Sequence, residues 1–145
     1  MHWMLLPLKR YADFSGRSRR LEYWMYTLLS TIVLLLCVGL FVAGAVSQQS
    51  FGAGKGGDAD IGPLGWLGIG LGGAWVLGTF IPGIAVTVRR FHDQDKSGWM
   101  YLLSFIPYVG SFVVFVFMFF EGTRGTNQYG PDPKNPDASG RDIFA

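Results

Sequence analysis

Residues 89–99, RRFHDQDKSGW, place three cations, two carboxylates and one histidine within eleven positions between two long apolar runs. Such a set could ligate a metal ion, bind a lipid phosphate or form structural ion pairs. One histidine and two carboxylates fall short of the roughly four fixed ligands of a zinc site. The sequence shows no nucleophile–base spacing, phosphate-binding glycine loop or catalytic carboxylate pair. We therefore predict no catalytic residue, no metal site, no cofactor and no enzymatic activity.

A second charged stretch, at residues 17–22, directly precedes the first apolar run. Arginine binds phosphate and carboxylate through its planar fork, and Glu22 could pair across helices with Arg89 or Arg90. Three functions stay open for these charges: structural pairing that fixes orientation, binding of anionic lipid, and docking of a membrane-protein partner. The predicted lipid- or partner-binding site consists of Arg17, Arg19, Arg20, Glu22, Arg89, Arg90, His92 and Asp93.

The composition indicates a membrane protein. Half of the residues are hydrophobic and 15% are charged, against about 25% charged in soluble domains. The net charge of +2 gives no indication of a nucleic-acid partner. The one cysteine, Cys37, lies within an apolar run and cannot form an internal disulfide.

Three uncharged apolar runs, 23–46, 65–88 and 99–120, are long enough to cross a bilayer, which takes roughly 20 residues of helix. We therefore predict an all-α integral membrane protein with three transmembrane helices and one membrane domain over 8–133. The N-terminal fourteen residues mix aromatic, aliphatic and basic side chains, as in a segment that lies in the membrane interface. Residues 47–64 read as a mobile glycine-rich loop, and residues 121–145 as an extended polar tail, flexible over 134–145.

The third run contains Pro107 and Gly110. Proline removes a helical hydrogen bond, so this run is either a kinked span or a re-entrant hairpin that breaks at IPYVG. The kinked span is the simpler prediction. A hairpin would return the tail to the side on which the run begins.

Basic residues predict the orientation. Eight cations flank the spans on one face: Lys9, Arg10, Arg17, Arg19, Arg20, Arg89, Arg90 and Lys96. The first loop carries only Lys55. By the positive-inside rule the eight-cation face is cytoplasmic. The N-terminus is then cytoplasmic, and with three spans the tail is external.

The second run contains a G-x-x-x-G pair, Gly68 and Gly72. Small residues at this spacing let membrane helices approach closely. We predict that this pair packs helices together, either within one chain or between copies in a homo-oligomer.

Four motifs together resemble one family of small bacterial membrane proteins. They are Gly16-Arg17-Ser18-Arg19-Arg20-Leu21-Glu22-Tyr23-Trp24, Arg89-Arg90-Phe91-His92-Asp93 with Ser97-Gly98-Trp99, Ile106-Pro107 with Gly110, and Gly122, Gly125 and Asn127 followed by Tyr129-Gly130-Pro131-Asp132-Pro133. In this order, over about residues 8–133, they resemble domain of unknown function 805, the YhaH-like family. The resemblance implies a multi-pass protein of the bacterial cytoplasmic (inner) membrane and no established activity, cofactor or substrate. Phe91 and Met100 depart from the family pattern, which more often has Leu and Trp there.

These observations predict a non-enzymatic envelope protein that binds membrane lipid, including anionic lipid, or a membrane partner through its cytoplasmic cluster. The alternative is a subunit of an oligomeric transporter or channel. The uncharged spans offer no ion relay, so that alternative requires several copies to enclose a path.

Overall fold

The computed structural model describes residues 2–52 and 61–135. In this part of the chain the elements are α1 (His2–Lys9), α2 (Arg20–Gly52), α3 (Gly62–Asp93), a 3₁₀ helix η1 (Gly98–Phe105) and α4 (Gly110–Phe117). No strand occurs among these residues, so the all-helical prediction is confirmed. The chain forms two compact units. We call the described residues of 1–27 and 81–145 the headpiece, and those of 28–80 the helical pair.

Among the described residues, two helices are long and apolar enough to cross a membrane. They are Arg20–Gln48 and Gly62–Asp93, and only 11% and 17% of the residues in their most apolar windows are buried. Apolar side chains such as Leu36 and Leu77 therefore face outward along these helices, at 65% and 77% exposure. The predicted runs 23–46 and 65–88 lie within α2 and α3. Helix α2 extends to Gly52 into the predicted loop, and residues 53–60 of that loop lie outside the described residues.

Glycines bring α2 and α3 into backbone contact within the helical pair. A Cβ atom at Gly68 would lie 2.6 Å from the Cys37 carbonyl oxygen and 2.8 Å from the Phe41 nitrogen. A Cβ atom at Gly72 would lie 3.4 Å from Cys37 Cβ, whereas one at Gly70 would meet nothing within 4 Å. Gly68 and Gly72 thus lie against α2 of the same chain. Because helix backbone cannot move aside cheaply, position 68 requires glycine at this helix separation.

The third predicted span is not confirmed, because residues 98–120 do not form one continuous helix. Residues 98–120 form η1 and α4, eight residues each, with a break at Ile106–Val109. Pro107 interrupts the helix, and Tyr108 has a φ of +65°. At about 2.0 and 1.5 Å per residue neither piece approaches the roughly 30 Å of a hydrocarbon core.

Helix α4 folds back onto η1, as in the hairpin alternative. Ser111 Oγ donates to the Ser104 carbonyl oxygen at 3.4 Å, and a Cβ at Gly110 would overlap the Leu103 carbonyl. The C-terminal end of the segment meets the residue that follows α3: Gln94 Nε2 donates to the Phe117 carbonyl oxygen at 2.7 Å. We call residues 98–120 the apolar hairpin.

A small apolar core fixes the hairpin in the headpiece. Its buried members are Phe91, Val114 and Met118. Trp24 of α2 packs against Phe119 with ring centroids 4.6 Å apart. The hairpin is therefore held by the first turns of α2 and the last turns of α3.

The extended tail predicted from residue 121 is not confirmed either, because its described part packs against the end of α3. The backbone nitrogen of Thr123 donates to the Asp93 carbonyl oxygen at 2.8 Å, and Asn127 Nδ2 donates to the His92 carbonyl oxygen at 2.8 Å. Residues 122–133 therefore lie against the end of α3, where Arg17 and Arg19 bind the carbonyl oxygens of this segment. Residues 136–145 lie outside the described residues.

Candidate functional site

The segment that precedes α2 is shaped by local polar contacts. Gly16 has a φ of +79°, a conformation that favours glycine. Hydrogen bonds from the Ser15 hydroxyl and the Arg10 guanidinium hold the pKa of Asp13 down at about 2. The Ser18 nitrogen then donates to the Arg89 carbonyl oxygen at 3.2 Å. These contacts place residues 17–20 beside the end of α3.

Asp93 is the centre of the charged cluster. One of its carboxylate oxygens accepts from Arg17 Nε at 3.0 Å, and the other accepts from Arg90 Nη1. The three side chains are 8%, 1% and 0% exposed. A carboxylate that bridges two guanidinium groups offsets part of the cost of burying both cations. Gly122 closes the site, because a Cβ there would overlap the Asp93 carboxylate.

The remaining guanidinium donors bind backbone carbonyl oxygens of the segment that follows the hairpin. Arg17 donates to the carbonyl oxygens of Gly125, at 2.5 Å, and of Thr123. Arg90 donates to the Phe120 carbonyl oxygen, and Arg19 Nε donates to the Pro133 carbonyl oxygen at 2.5 Å. We call this arrangement, centred on Asp93, the arginine clamp. It ties three chain segments together: 17–20, 89–93 and 120–133.

A second buried ion pair joins α2 to α3 in the headpiece. Arg89 Nη2 lies 3.3 Å from Glu22 Oε1, and the two side chains are 0% and 3% exposed. Glu22 Oε1 and both Arg89 Nη atoms nevertheless lack a well-aligned hydrogen bond. This pair therefore carries more desolvation cost than the arginine clamp.

His92 lies at the edge of the cluster. Its Nδ1 atom is 3.3 Å from the Gly16 carbonyl oxygen, and its ring stacks on Tyr129 with centroids 3.8 Å apart. The sequence reasoning did not select Tyr129 or Gly122 as site residues, although both occur in the motifs quoted above. Only the return of the hairpin brings them to α3.

All eight predicted site residues lie in the headpiece, in two classes. Five are buried and bind other parts of the chain: Arg17, Glu22, Arg89, Arg90 and Asp93. Arg19, Arg20 and His92 keep partial exposure. Arg20 donates to the Phe119 carbonyl oxygen at 3.1 Å and pairs with Glu121, with 38% of its side chain exposed. Within the part of the chain that the structure describes, no three His, Cys, Asp or Glu side chains lie together as a metal-binding group.

Comparisons with known proteins place the chain in a family. The sequence pattern described as "Protein of unknown function (DUF805)" matches residues 11–131. The chain is 42% identical to "Inner membrane protein YhaI" of Escherichia coli (strain K12) over 136 residues, which cover 92% of this chain and 97% of that protein. It is 39% identical to "Inner membrane protein YhaH" of the same strain over 140 residues, covering 92% of this chain and 98% of that protein. No solved structure matches the chain. The chain therefore belongs to the DUF805 family of proteins of unknown function, whose relatives YhaI and YhaH are inner-membrane proteins.

Proposed function

We propose that this protein crosses the bacterial inner membrane twice and inserts the apolar hairpin from the cytoplasmic side. Helices α2 and α3 would be the spans, with the headpiece at the cytoplasmic face. The proposal rests on the eight cations that flank these helices in the headpiece. The exposed apolar hairpin supports it, because Phe105 and Phe112 are 74% and 65% exposed and such groups are stable in lipid.

This topology predicts a cytoplasmic C-terminus. A green fluorescent protein fused after Ala145 should fluoresce, and alkaline phosphatase fused there should be inactive. The reason is that the arginine clamp holds residues 120–133 beside residues 17–20. As a matched control, phosphatase inserted after Gly57, between the two spans, should be active. An active phosphatase at Ala145 would instead support three spans and contradict the hairpin.

We propose further that the headpiece binds the phosphate of an anionic phospholipid at Arg20, as a binding function without catalysis. The observation that carries this proposal is the position of Arg20 beside exposed aromatic surface. Its guanidinium contacts the Phe119 carbonyl oxygen, and the Phe119 and Phe120 side chains are 53% and 52% exposed. A partly exposed cation at the edge of an apolar surface matches a phosphate joined to acyl chains. Buried Arg89 and Arg90 are fully enclosed and serve the fold in this proposal.

Native mass spectrometry of protein released from phosphatidylglycerol-containing nanodiscs tests the Arg20 site. Arg20→Ala should weaken phosphatidylglycerol retention about fivefold, since a cation near the surface contributes about 1 kcal/mol. Glu121→Gln should strengthen retention, because Glu121 competes with phosphate for the Arg20 guanidinium. Arg124→Ala removes an equal charge from an exposed position and is the matched control.

Equal losses of phosphatidylglycerol retention in the Arg20 and Arg124 variants would mean that the protein attracts anionic lipid diffusely. That result would contradict a specific binding site at Arg20. The same spectra report the number of copies. A stable ring of several copies without bound lipid would favour the transporter or channel subunit instead.

A further inference from the structure

A pocket of about 540 Å³ opens in the headpiece where α3 passes into η1. Four aromatic side chains contribute to its wall, together with one imidazole and one hydroxyl: Phe14, Trp99, Tyr101, Tyr129, His92 and Ser97. Its size lies within the roughly 300–1,000 Å³ of small-molecule sites. It is separate from the arginine clamp, whose arginines and Asp93 do not line it.

The lining disfavours an anion. Among the described residues that line the pocket, none is Lys, Arg, Asp or Glu. An anion would therefore meet no cation there. The electron-rich faces of Trp and Tyr rings attract cations, and aromatic cages recognise ammonium groups in this way. The charge expected of a ligand is positive.

The histidine adds a directional acceptor. The Gly16 carbonyl oxygen can only accept, so the contact of 3.3 Å places a proton on His92 Nδ1. In the neutral ring Nε2 is then an acceptor. A Cβ at Gly98 would lie 3.1 Å from this Nε2 atom, and Gly98 itself lines the pocket. The acceptor therefore lies at the pocket wall.

Tyr129 holds the imidazole in this orientation. The two rings are parallel within 3° and their centroids are 3.8 Å apart. Tyr129 comes from the segment tied down by the arginine clamp, so the clamp also completes this pocket. The sequence distance between His92 and Tyr129 explains why no local motif revealed it.

We propose that this pocket binds a primary ammonium group, presented by an ethanolamine phospholipid headgroup or by a free alkylamine. The aromatic rings stabilise the charge, and His92 Nε2 accepts one of its N–H groups. Ser97 Oγ accepts from the Trp99 nitrogen at 3.4 Å and accepts a second N–H group of the ligand through its other lone pair. A quaternary ammonium has no N–H to donate and binds less tightly. The site does not depend on phosphate binding at Arg20.

The test uses the full chain in phosphatidylglycerol nanodiscs that contain equal amounts of phosphatidylethanolamine and phosphatidylcholine. Native mass spectrometry should show preferential retention of the ethanolamine lipid. Trp99→Leu should weaken that retention about fivefold, in line with the loss of one cation–π contact. The Trp99 side chain is 78% exposed, so its removal leaves the fold intact. Trp66→Leu, at 62% exposure and outside the pocket, should have no effect.

A second variant tests the acceptor. His92→Phe keeps a ring for Tyr129 to stack on but removes Nε2, so the preference for ethanolamine over choline lipid should disappear.

In nanodiscs of phosphatidylglycerol alone, free ethanolamine is titrated while the Trp99 indole N–H resonance is followed by NMR. A shift there without a lipid preference identifies a soluble amine as the ligand. Lipid preference without a shift identifies the headgroup.

Equal retention of both zwitterionic lipids with no response of Trp99 to ethanolamine would overturn the proposal. The loss of bound phosphatidylglycerol in the Arg20→Ala variant is measured from mass-spectral peaks that are separate from those of the two zwitterionic lipids. Failure at the aromatic pocket is thus distinguishable from failure at Arg20.

Discussion

Replacing Asp93 with asparagine is expected to lower the free energy of unfolding by about 3 kcal/mol and to release residues 120–133. The carboxylate is the shared acceptor of Arg17 and Arg90, whose side chains are 1% and 0% exposed. Removing one partner of a buried ion pair leaves an uncompensated charge in a poorly solvated site, which costs roughly 3–5 kcal/mol. Asparagine keeps one acceptor oxygen, so the lower end of that range is expected.

The matched control is Asp95→Asn, two residues away. Asp95 is exposed and has a φ of +56°, which asparagine adopts readily. Denaturant titration in detergent micelles gives the free energies, and limited trypsin digestion at Arg124 and Lys134 reports release of the segment. The clamp would be contradicted if the two variants unfolded at the same denaturant concentration and were cleaved at the same rate.

The second large effect is expected at Glu22 and Arg89. Glu22→Ala alone should cost about 3–5 kcal/mol, because Arg89 is left fully buried without a counter-charge. The combined variant Glu22→Leu with Arg89→Met should cost far less than the sum of Glu22→Leu and Arg89→Met measured singly. The double variant should cost less because it leaves no unpaired charge and removes buried atoms, Glu22 Oε1 and both Arg89 Nη atoms, that lack well-aligned hydrogen bonds.

A double-mutant cycle measured by the same denaturant titration gives the coupling between the two side chains. A matched cycle on Arg20 and Glu121 is the control, because that pair is 38% and 57% exposed. Its coupling should be below about 1 kcal/mol, as for exposed ion pairs. Additive losses at Glu22 and Arg89 would show that the two groups do not interact in the folded protein.

Local patterns in the sequence predicted a large part of the fold. The uncharged runs 23–46 and 65–88 gave α2 and α3, because long apolar segments form continuous helices when their backbone is satisfied internally. The glycines at 68 and 72 lie at a helix contact for a similarly local reason, since only small residues permit close approach. Neither inference required knowledge of distant residues.

The conformation of the third apolar run, residues 99–120, could not be predicted from local sequence patterns. Its hydrophobicity and length match a span, and Pro107 with Gly110 is compatible with a kink as well as with a break. The reversal depends on contacts of α4 with η1 and of Trp24 with Phe119, which come from distant parts of the chain. In the topology proposed above, the side of the membrane on which the tail lies follows from that reversal.

By itself, the sequence determined that the chain is helical, which two segments form long apolar helices, and that charge collects at one end of them. The tertiary structure alone decided how those charges are used. It buried Arg17, Arg90 and Asp93 in a clamp and left Arg20 beside exposed aromatic surface. The physical reason is that helix formation depends on neighbouring residues, whereas the burial of a charge depends on which distant carbonyl or carboxylate groups reach it.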